Sequence, residues 1–300
     1  MPGAYLPYIT CSKKEKSKIE AILNYGITID GLVIDYRRLV GSYRYETIKI
    51  ITSVIDRNPN AIILVDPRTD AFQANSSTRT SIKSLNKIFG LANYDKDHIR
   101  NDGFFKPSKI KEKLYEIIDN LYRTIRIPRI GTQTFEPSYF IPPYFVAHNY
   151  GDEWYELTIE SINISLKLLG KKKGILAPIA IDRNLLGNRD DVLKLIDDYK
   201  DLEVDGYIIF PYNINEHDVS LDVLENLALL AMELKSTGKI VIVHSAEFGN
   251  VLISLGVDAI TCGICSHKNP YSFTVFEKGL AEIARTEEQL YDIQFLENYM

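Results

Sequence analysis

Gly206-Tyr207-Ile208-Ile209-Phe210, Lys239-Ile240-Val241-Ile242-Val243-His244 and Ala259-Ile260-Thr261-Cys262-Gly263 are three short apolar runs within residues 206–263. They are rich in Ile and Val and show no in–out alternation, the mark of strands buried on both faces. Between the first two, Leu221, Leu224, Leu227, Ala231 and Leu234 recur at helical spacing, and Gly238 then ends the segment. Between the last two, Phe248–Leu255 is a brief helix-like stretch closed by Gly256. Strand, helix, strand, helix, strand of this kind predicts a parallel sheet wrapped by helices.

Working outward, five more runs read the same way: Tyr5–Ile9, Gly31–Asp35, Ala61–Asp66, Tyr144–Ala147 and Gly174–Ile181. Ser12-Lys13-Lys14-Glu15 is a capping box before Ile19, Ile22 and Leu23. Tyr45–Ile55, Glu153–Leu169 and Asp190–Tyr199 repeat apolar residues at helical spacing, and a last helix near Phe276–Tyr299 is expected outside the eighth strand. Eight strand–helix units predict an α/β chain of the (β/α)8 TIM barrel type, a single domain over residues 1–300. The rival, a doubly wound open sheet, would show a glycine-rich first turn; Thr10-Cys11-Ser12 has no glycine. Val65 to Val146 spans 81 residues, far more than one unit needs. The surplus, 71–135, is expected to be a basic helical insertion after strand 3, with helices at Ser81–Phe89 and Ser108–Tyr122.

Hydrophobic residues make up 45% of the 300 and charged residues 25%, which excludes a disordered, collagen-like or coiled-coil chain. No run of 18 apolar residues exists and Met1–Thr10 lacks the pattern of a secretion signal, so no membrane partner is expected. Three cysteines, Cys11, Cys262 and Cys265, cannot all pair, which fits a reducing, cytoplasmic setting. The net charge of −5 argues against a chain coated for nucleic acid. The insertion differs: twelve Lys or Arg against six Asp or Glu give it +6 and leave −11 for the rest. With Phe104, Phe105, Tyr115 and Tyr122 as stacking faces, it would suit a nucleic acid or nucleoside. The plainer alternative is a solvated helical hairpin. Oligomeric state is left open.

Barrel enzymes place their chemistry at the carboxyl ends of the strands. The candidate catalytic residues are therefore Asp35, Asp66 and Asp70 as acids or base-edge acceptors, His148 and His244 as acid–base groups, and Glu247. Arg37, Arg68 and Arg183 would hold anionic parts of a substrate, and Asn149, Tyr212 and Asn213 complete the binding set. Glu153 and Glu247 would serve a glycosidase if about 5 Å apart, although each also fits the first turn of a helix. Asp35, Asp66, His148 and His244, or Cys262-x-x-Cys265-x-His267, offer metal-type ligands. The second cysteine pair that marks a zinc site is missing, so neither metal nor cofactor is expected. Ser245–Asn250 leads into a short helix where a phosphate would fit, but Glu247 would repel it.

Leu255-Gly256-Val257-Asp258-Ala259-Ile260-Thr261-Cys262, the spacing from Gly206-Tyr207, and Asp70-Ala71-Phe72-Gln73 resemble motifs of the tRNA-guanine transglycosylases and their DNA-modifying relatives. The likeness covers about 60 residues. Thr261 stands where that family has its nucleophilic aspartate, Phe210-Pro211-Tyr212 replaces its glycine pair, and its zinc cysteines are absent. The resemblance implies a barrel enzyme, or a diverged one, acting on a nucleobase, nucleoside or nucleic acid. The alternatives are a glycosidase-like or metal-dependent hydrolase, and a non-catalytic barrel serving as an interaction subunit.

Overall fold

The computed structural model describes residues 3–9, 13–40, 43–73, 106–125, 127–128, 134–216 and 218–263. A separate antiparallel pair joins β4 (Ile127–Pro128) to β5 (Thr134–Phe135). Among the described residues the main sheet is parallel and has seven strands: β1 (Ala4–Ile9), β2 (Gly31–Asp35), β3 (Ile62–Asp66), β6 (Leu176–Asp182), β7 (Gly206–Tyr212), β8 (Ile240–His244) and β9 (Ala259–Gly263). Its order is β3-β2-β1-β9-β8-β7-β6. Each strand lies beside its neighbour in the chain, and the last returns to the first, so the order is cyclic with one gap between β3 and β6.

Segment 138–147 occupies that gap. On one side Ser138 N donates to Ile63 O (2.8 Å), and the Ser138 hydroxyl accepts from Ile63 N (3.1 Å). On the other, Phe140 N donates to Gly174 O (2.9 Å), Leu176 N to Phe140 O (3.0 Å) and Ala147 N to Ala180 O (2.9 Å). The strand expected at Tyr144–Ala147 is thus an irregular segment with isolated parallel bridges, Phe140 to Ile175 and Ala147 to Ile181. Pro142 and Pro143 are the physical reason, since neither has an N–H for a ladder. Side chains stand in. A 3-10 turn at Thr69–Gln73 offers the Thr69 hydroxyl to Tyr144 N (2.7 Å) and the Gln73 amide oxygen to Val146 N (2.5 Å).

Around the sheet lie α1 (Lys13–Asn24), α2 (Tyr36–Val40), α3 (Arg44–Arg57), α4 (Pro107–Thr124), α5 (Glu153–Leu169), α6 (Arg183–Leu186), α7 (Arg189–Lys200), α8 (Leu221–Lys235) and α9 (Gly249–Ser254). Two apolar layers result. An outer one, with Ile9, Ile34, Val65, Ile179, Ile209 and Val243 on the strands, packs beneath the helices. An inner one gathers Leu6, Val33, Leu64, Val146, Ile208 and Ile242 on the concave side. Burying each such side chain contributes about 1.5–3 kcal/mol. Gly206 lets strands approach closely at the base of the sheet: a Cβ there would sit 2.5 Å from Ile240 O.

The helix expected at Ser108–Tyr122 is α4. Its Ile110, Leu114, Ile117, Ile118 and Leu121 are buried in the outer layer, and it packs on α5. This part of the expected insertion is therefore a member of the helical shell. The Ser81–Phe89 and Phe276–Tyr299 helices lie outside the described residues. No described helix is long and apolar enough to cross a membrane.

Candidate active site at the carboxyl end of the sheet

Side chains alternate along a strand, so the inner face can be followed upward from the apolar layer. Leu6 leads to Tyr8, Val33 to Asp35, Leu64 to Asp66, Val146 to His148, Ala180 to Asp182, Phe210 to Tyr212, Ile242 to His244 and Ala259 to Thr261. The last residue of each pair is polar. Register aligns them, pairing Asp35 with Asp66, Asp182 with Tyr212, and His244 with Thr261.

The floor of this mouth is a dry ion cluster. Asp66 is fully buried and accepts from the Tyr8 hydroxyl (2.5 Å), the Tyr144 hydroxyl (2.8 Å) and Arg68 N (2.9 Å). Arg68, 1% exposed, forks onto Asp70 through Nε (3.1 Å) and Nη2 (3.0 Å), and Tyr212 donates to the same carboxylate (2.6 Å). Arg68 has φ of 54°, a left-handed conformation that costs a non-glycine residue about 1 kcal/mol or more. Beside it, Arg37 grips Asp35 through Nε (2.9 and 3.0 Å) and Nη2.

Electrostatics separates these acids. Burial would raise the Asp35 carboxyl, but the Arg37 guanidinium against it prevails and holds it at about 2. Burial also raises Asp66, where Arg68 is offset by Asp70 and Asp35, and here it prevails, pushing the carboxyl up to about 6. Burial, aided by the nearby Arg68 charge, pushes His244 down to about 3, so its imidazole is neutral at pH 7. Its ring meets that of Tyr8 edge-on at 5.6 Å. An acid pushed up to about 6 and a neutral imidazole, both in contact with Tyr8, are groups suited to proton transfer.

The rim is wetter. His148 is 42% exposed, and its Nδ1 lies 3.8 Å from Asp182 Oδ2. Asp182 is buried, takes Asn213 Nδ2 at 2.6 Å on the same oxygen, and caps α6 by accepting from Asn184 N (2.9 Å). Asn213, like Arg68, is left-handed, with φ of 56°.

The structure thus brings Asp35, Arg37, Asp66, Arg68, Asp70, Tyr212 and His244 into one buried group, with His148 and Asn213 in a more exposed one. It does not gather the others. Glu247 is exposed on the turn before α9, Arg183 is exposed at the start of α6, and Asn149 is exposed with its N–H on Asp152 (3.1 Å). Glu153 is exposed in the first turn of α5, whose N-cap is Asp152, so the glycosidase pair lies on the surface. The donors of Ser245–Phe248 hold Glu216, through Ser245 Oγ (2.7 Å), Ala246 N (2.7 Å) and Phe248 N (2.6 Å). Among the described residues no three His, Cys, Asp or Glu are placed to hold a metal ion. Cys262 is half-buried and hydrogen-bonded to the Tyr5 hydroxyl, while Cys265 and His267 lie outside the described residues. The basic residues of α4 are paired: Lys109 with Glu112, Lys111 with Glu160, Lys113 with Glu116 and Arg123 with Asp119. Sequence reasoning placed Asp182 at the end of its strand without giving it a role, and it missed Tyr8 and Tyr144. The period-two alternation that points Tyr8 inward was the available signal.

A curled parallel sheet wrapped by helices, with a polar ring at its carboxyl end, defines the class of protein. No family model and no curated protein matches the sequence. Among solved structures, the chain is similar to a mandelate racemase/muconate lactonizing protein from Herpetosiphon aurantiacus, at 12% identity and TM-score 0.37, covering 86% of this chain and 53% of that one. It is also similar to a protein named as a fructose-1,6-biphosphate aldolase from Coccidioides immitis, at 8% and 0.41, covering 98% and 82%. A third is a glycoside hydrolase family 30 subfamily 8 xylanase from Clostridium acetobutylicum, at 12% and 0.43, covering 89% and 65%. The chain spans about half the length of the first of these. None of the three is a transglycosylase, and at these identities and TM-scores none sets a family or an activity.

Proposed function

We propose that this protein is an eight-stave barrel enzyme, with segment 138–147 as the fourth stave, that performs general acid–base chemistry at its mouth. The observation that carries this reading is Asp66, a buried carboxyl pushed up to about 6 and bonded to Arg68 N and to the hydroxyl of Tyr8, whose ring also meets the neutral His244. Carboxyls raised in this way by burial cluster at functional sites. The substrate class we assign is a nucleobase or nucleoside. Support comes from the transglycosylase-like residues Leu255–Cys262 and from a mouth lined with hydroxyls, carboxylates and an imidazole that suit a heterocycle's edge.

A thermal-shift titration of the intact chain tests it. Nucleobases or nucleosides are expected to raise Tm in a concentration-dependent way, because ligands of the native state stabilise it by mass action, and His244→Gln is expected to abolish the rise. Stabilisation by sugars alone would overturn the substrate class. A second reading, a non-catalytic barrel acting as an interaction subunit, is favoured by the pairing of Arg37 and Arg68 with acids of their own chain. It expects no ligand in that panel to bind, and an Asp66 carboxyl that does not titrate between pH 5 and 7.

A further inference from the structure

We propose that Asp182 is the positioning residue of the rim, with Asn213 as its tether, and that together they orient His148 as the mouth's solvent-facing acid–base group. This rests on the acid–base reading of the mouth. Three successive staves supply the parts: His148 follows Ala147, Asp182 ends β6, and Asn213 follows β7.

Each part is fixed from a different direction. His148 N donates to Asp152 Oδ2 at 2.8 Å, anchoring the backbone at the N-cap of α5. Asp182 Oδ1 is held by Asn184 N, and Asp182 Oδ2 is held by Asn213 at 2.6 Å. That second oxygen lies 3.8 Å from His148 Nδ1. Asn213 reaches it from a left-handed backbone, which asparagine tolerates better than most residues. A carboxylate facing Nδ1 favours the tautomer with the proton there, so Nε2 carries the lone pair. Nε2 then takes a proton from substrate or water, Asp182 balances the imidazolium charge, and the proton returns from Nε2 to water. Among the described residues, Asp182 from β6 and Asp152 from the start of α5 are the charged groups that act on His148. Both favour the protonated ring, and His148 is raised accordingly, first by Asp182.

Nitrogen-15 NMR titration of the intact chain decides the matter without requiring turnover, so its failure is separate from failure of the acid–base reading. In the wild-type protein, neutral His148 is expected to carry its proton on Nδ1. In Asp182→Asn the His148 midpoint is expected to fall by ~1 pH unit, and the variant keeps an N-cap acceptor for α6 because asparagine caps well. Asn213→Gly preserves the backbone conformation, removes the tether, and is expected to lower the share of the Nδ1–H form. A wild-type His148 protonated on Nε2, or an unchanged midpoint in Asp182→Asn, overturns the proposal. Should Asp182→Asn fail to fold, the wild-type tautomer decides alone.

Discussion

Asp66 and Asp182 end the two edge strands of one sheet and face the same mouth, yet they respond in opposite directions. Asp182 is lowered: burial would raise it, but His148, Asn184 and Asn213 outweigh that. Asp66 is raised to about 6 although Arg68, Tyr8 and Tyr144 all contact it. The difference lies in company and water. Asp182 faces an imidazole that is 42% exposed, and the causes that lower it include hydrogen bonds from His148, Asn184 and Asn213. Asp66 shares one cation with Asp70 and lies in register with Asp35, in a place water does not reach. Like charges in low dielectric resist joint ionisation. Burial therefore prevails at Asp66 and raises it, while polar contacts prevail at Asp182 and lower it.

The largest way to break this contrast is Arg68→Ala. Removing the floor's cation leaves Asp66 and Asp70 buried without it, and unfolding in urea is expected to show a loss of ~3–5 kcal/mol.

Next comes pH. Asp66 is raised from 3.8 to about 6, so its contribution to stability is full below 3.8 and is lost as pH rises through 6. His244 is lowered from 6.5 to about 3, so its contribution is full above 6.5 and is lost as pH falls toward 3. Between 4 and 6 the two slopes oppose and the wild-type curve is expected to be shallow. Asp66→Asn exposes the His244 slope, with stability falling as pH drops from 6 to 4 by up to ~1.4 kcal/mol per pH unit. His244→Gln is expected to show the reverse, gaining stability over the same drop. Matching urea curves at pH 4 and 6 in both variants would refute the opposition.

The smallest effect sharpens the comparison. Tyr212→Phe withdraws a hydroxyl from Asp70 on the floor and is expected to cost ~1.5–3 kcal/mol. Asn213→Gly withdraws a donor from the half-wet rim and is expected to cost under ~1 kcal/mol. Equal losses in chemical denaturation would mean that the rim is as dry as the floor.

Much of the fold was legible from local pattern. Gly31–Asp35, Ala259–Gly263 and Glu153–Leu169 appear with the boundaries their sequence predicts, because apolar runs and capping residues act within a few neighbours. Tyr144–Ala147 was misread as a regular strand. The Pro142-Pro143 signal was present, but what replaces its missing donors, the Thr69 and Gln73 side chains, comes from about seventy residues earlier in the chain.

The candidate acids Asp35, Asp66 and Asp70 and the base His244 were visible as strand-end residues, since a parallel barrel puts every strand end on one side. The exposed Glu247, Arg183 and Asn149 carried the same signal, and sequence position alone does not tell inward from outward once a strand has ended. By itself the sequence determined the parallel strands, their helices and the polar character of their carboxyl ends, because those depend on side chains a few positions apart. Only the tertiary structure decided which acids share a cation and which meet water. Those outcomes depend on Coulomb interactions and desolvation among groups tens to hundreds of residues apart, and both change steeply over distances that no spacing in the chain encodes.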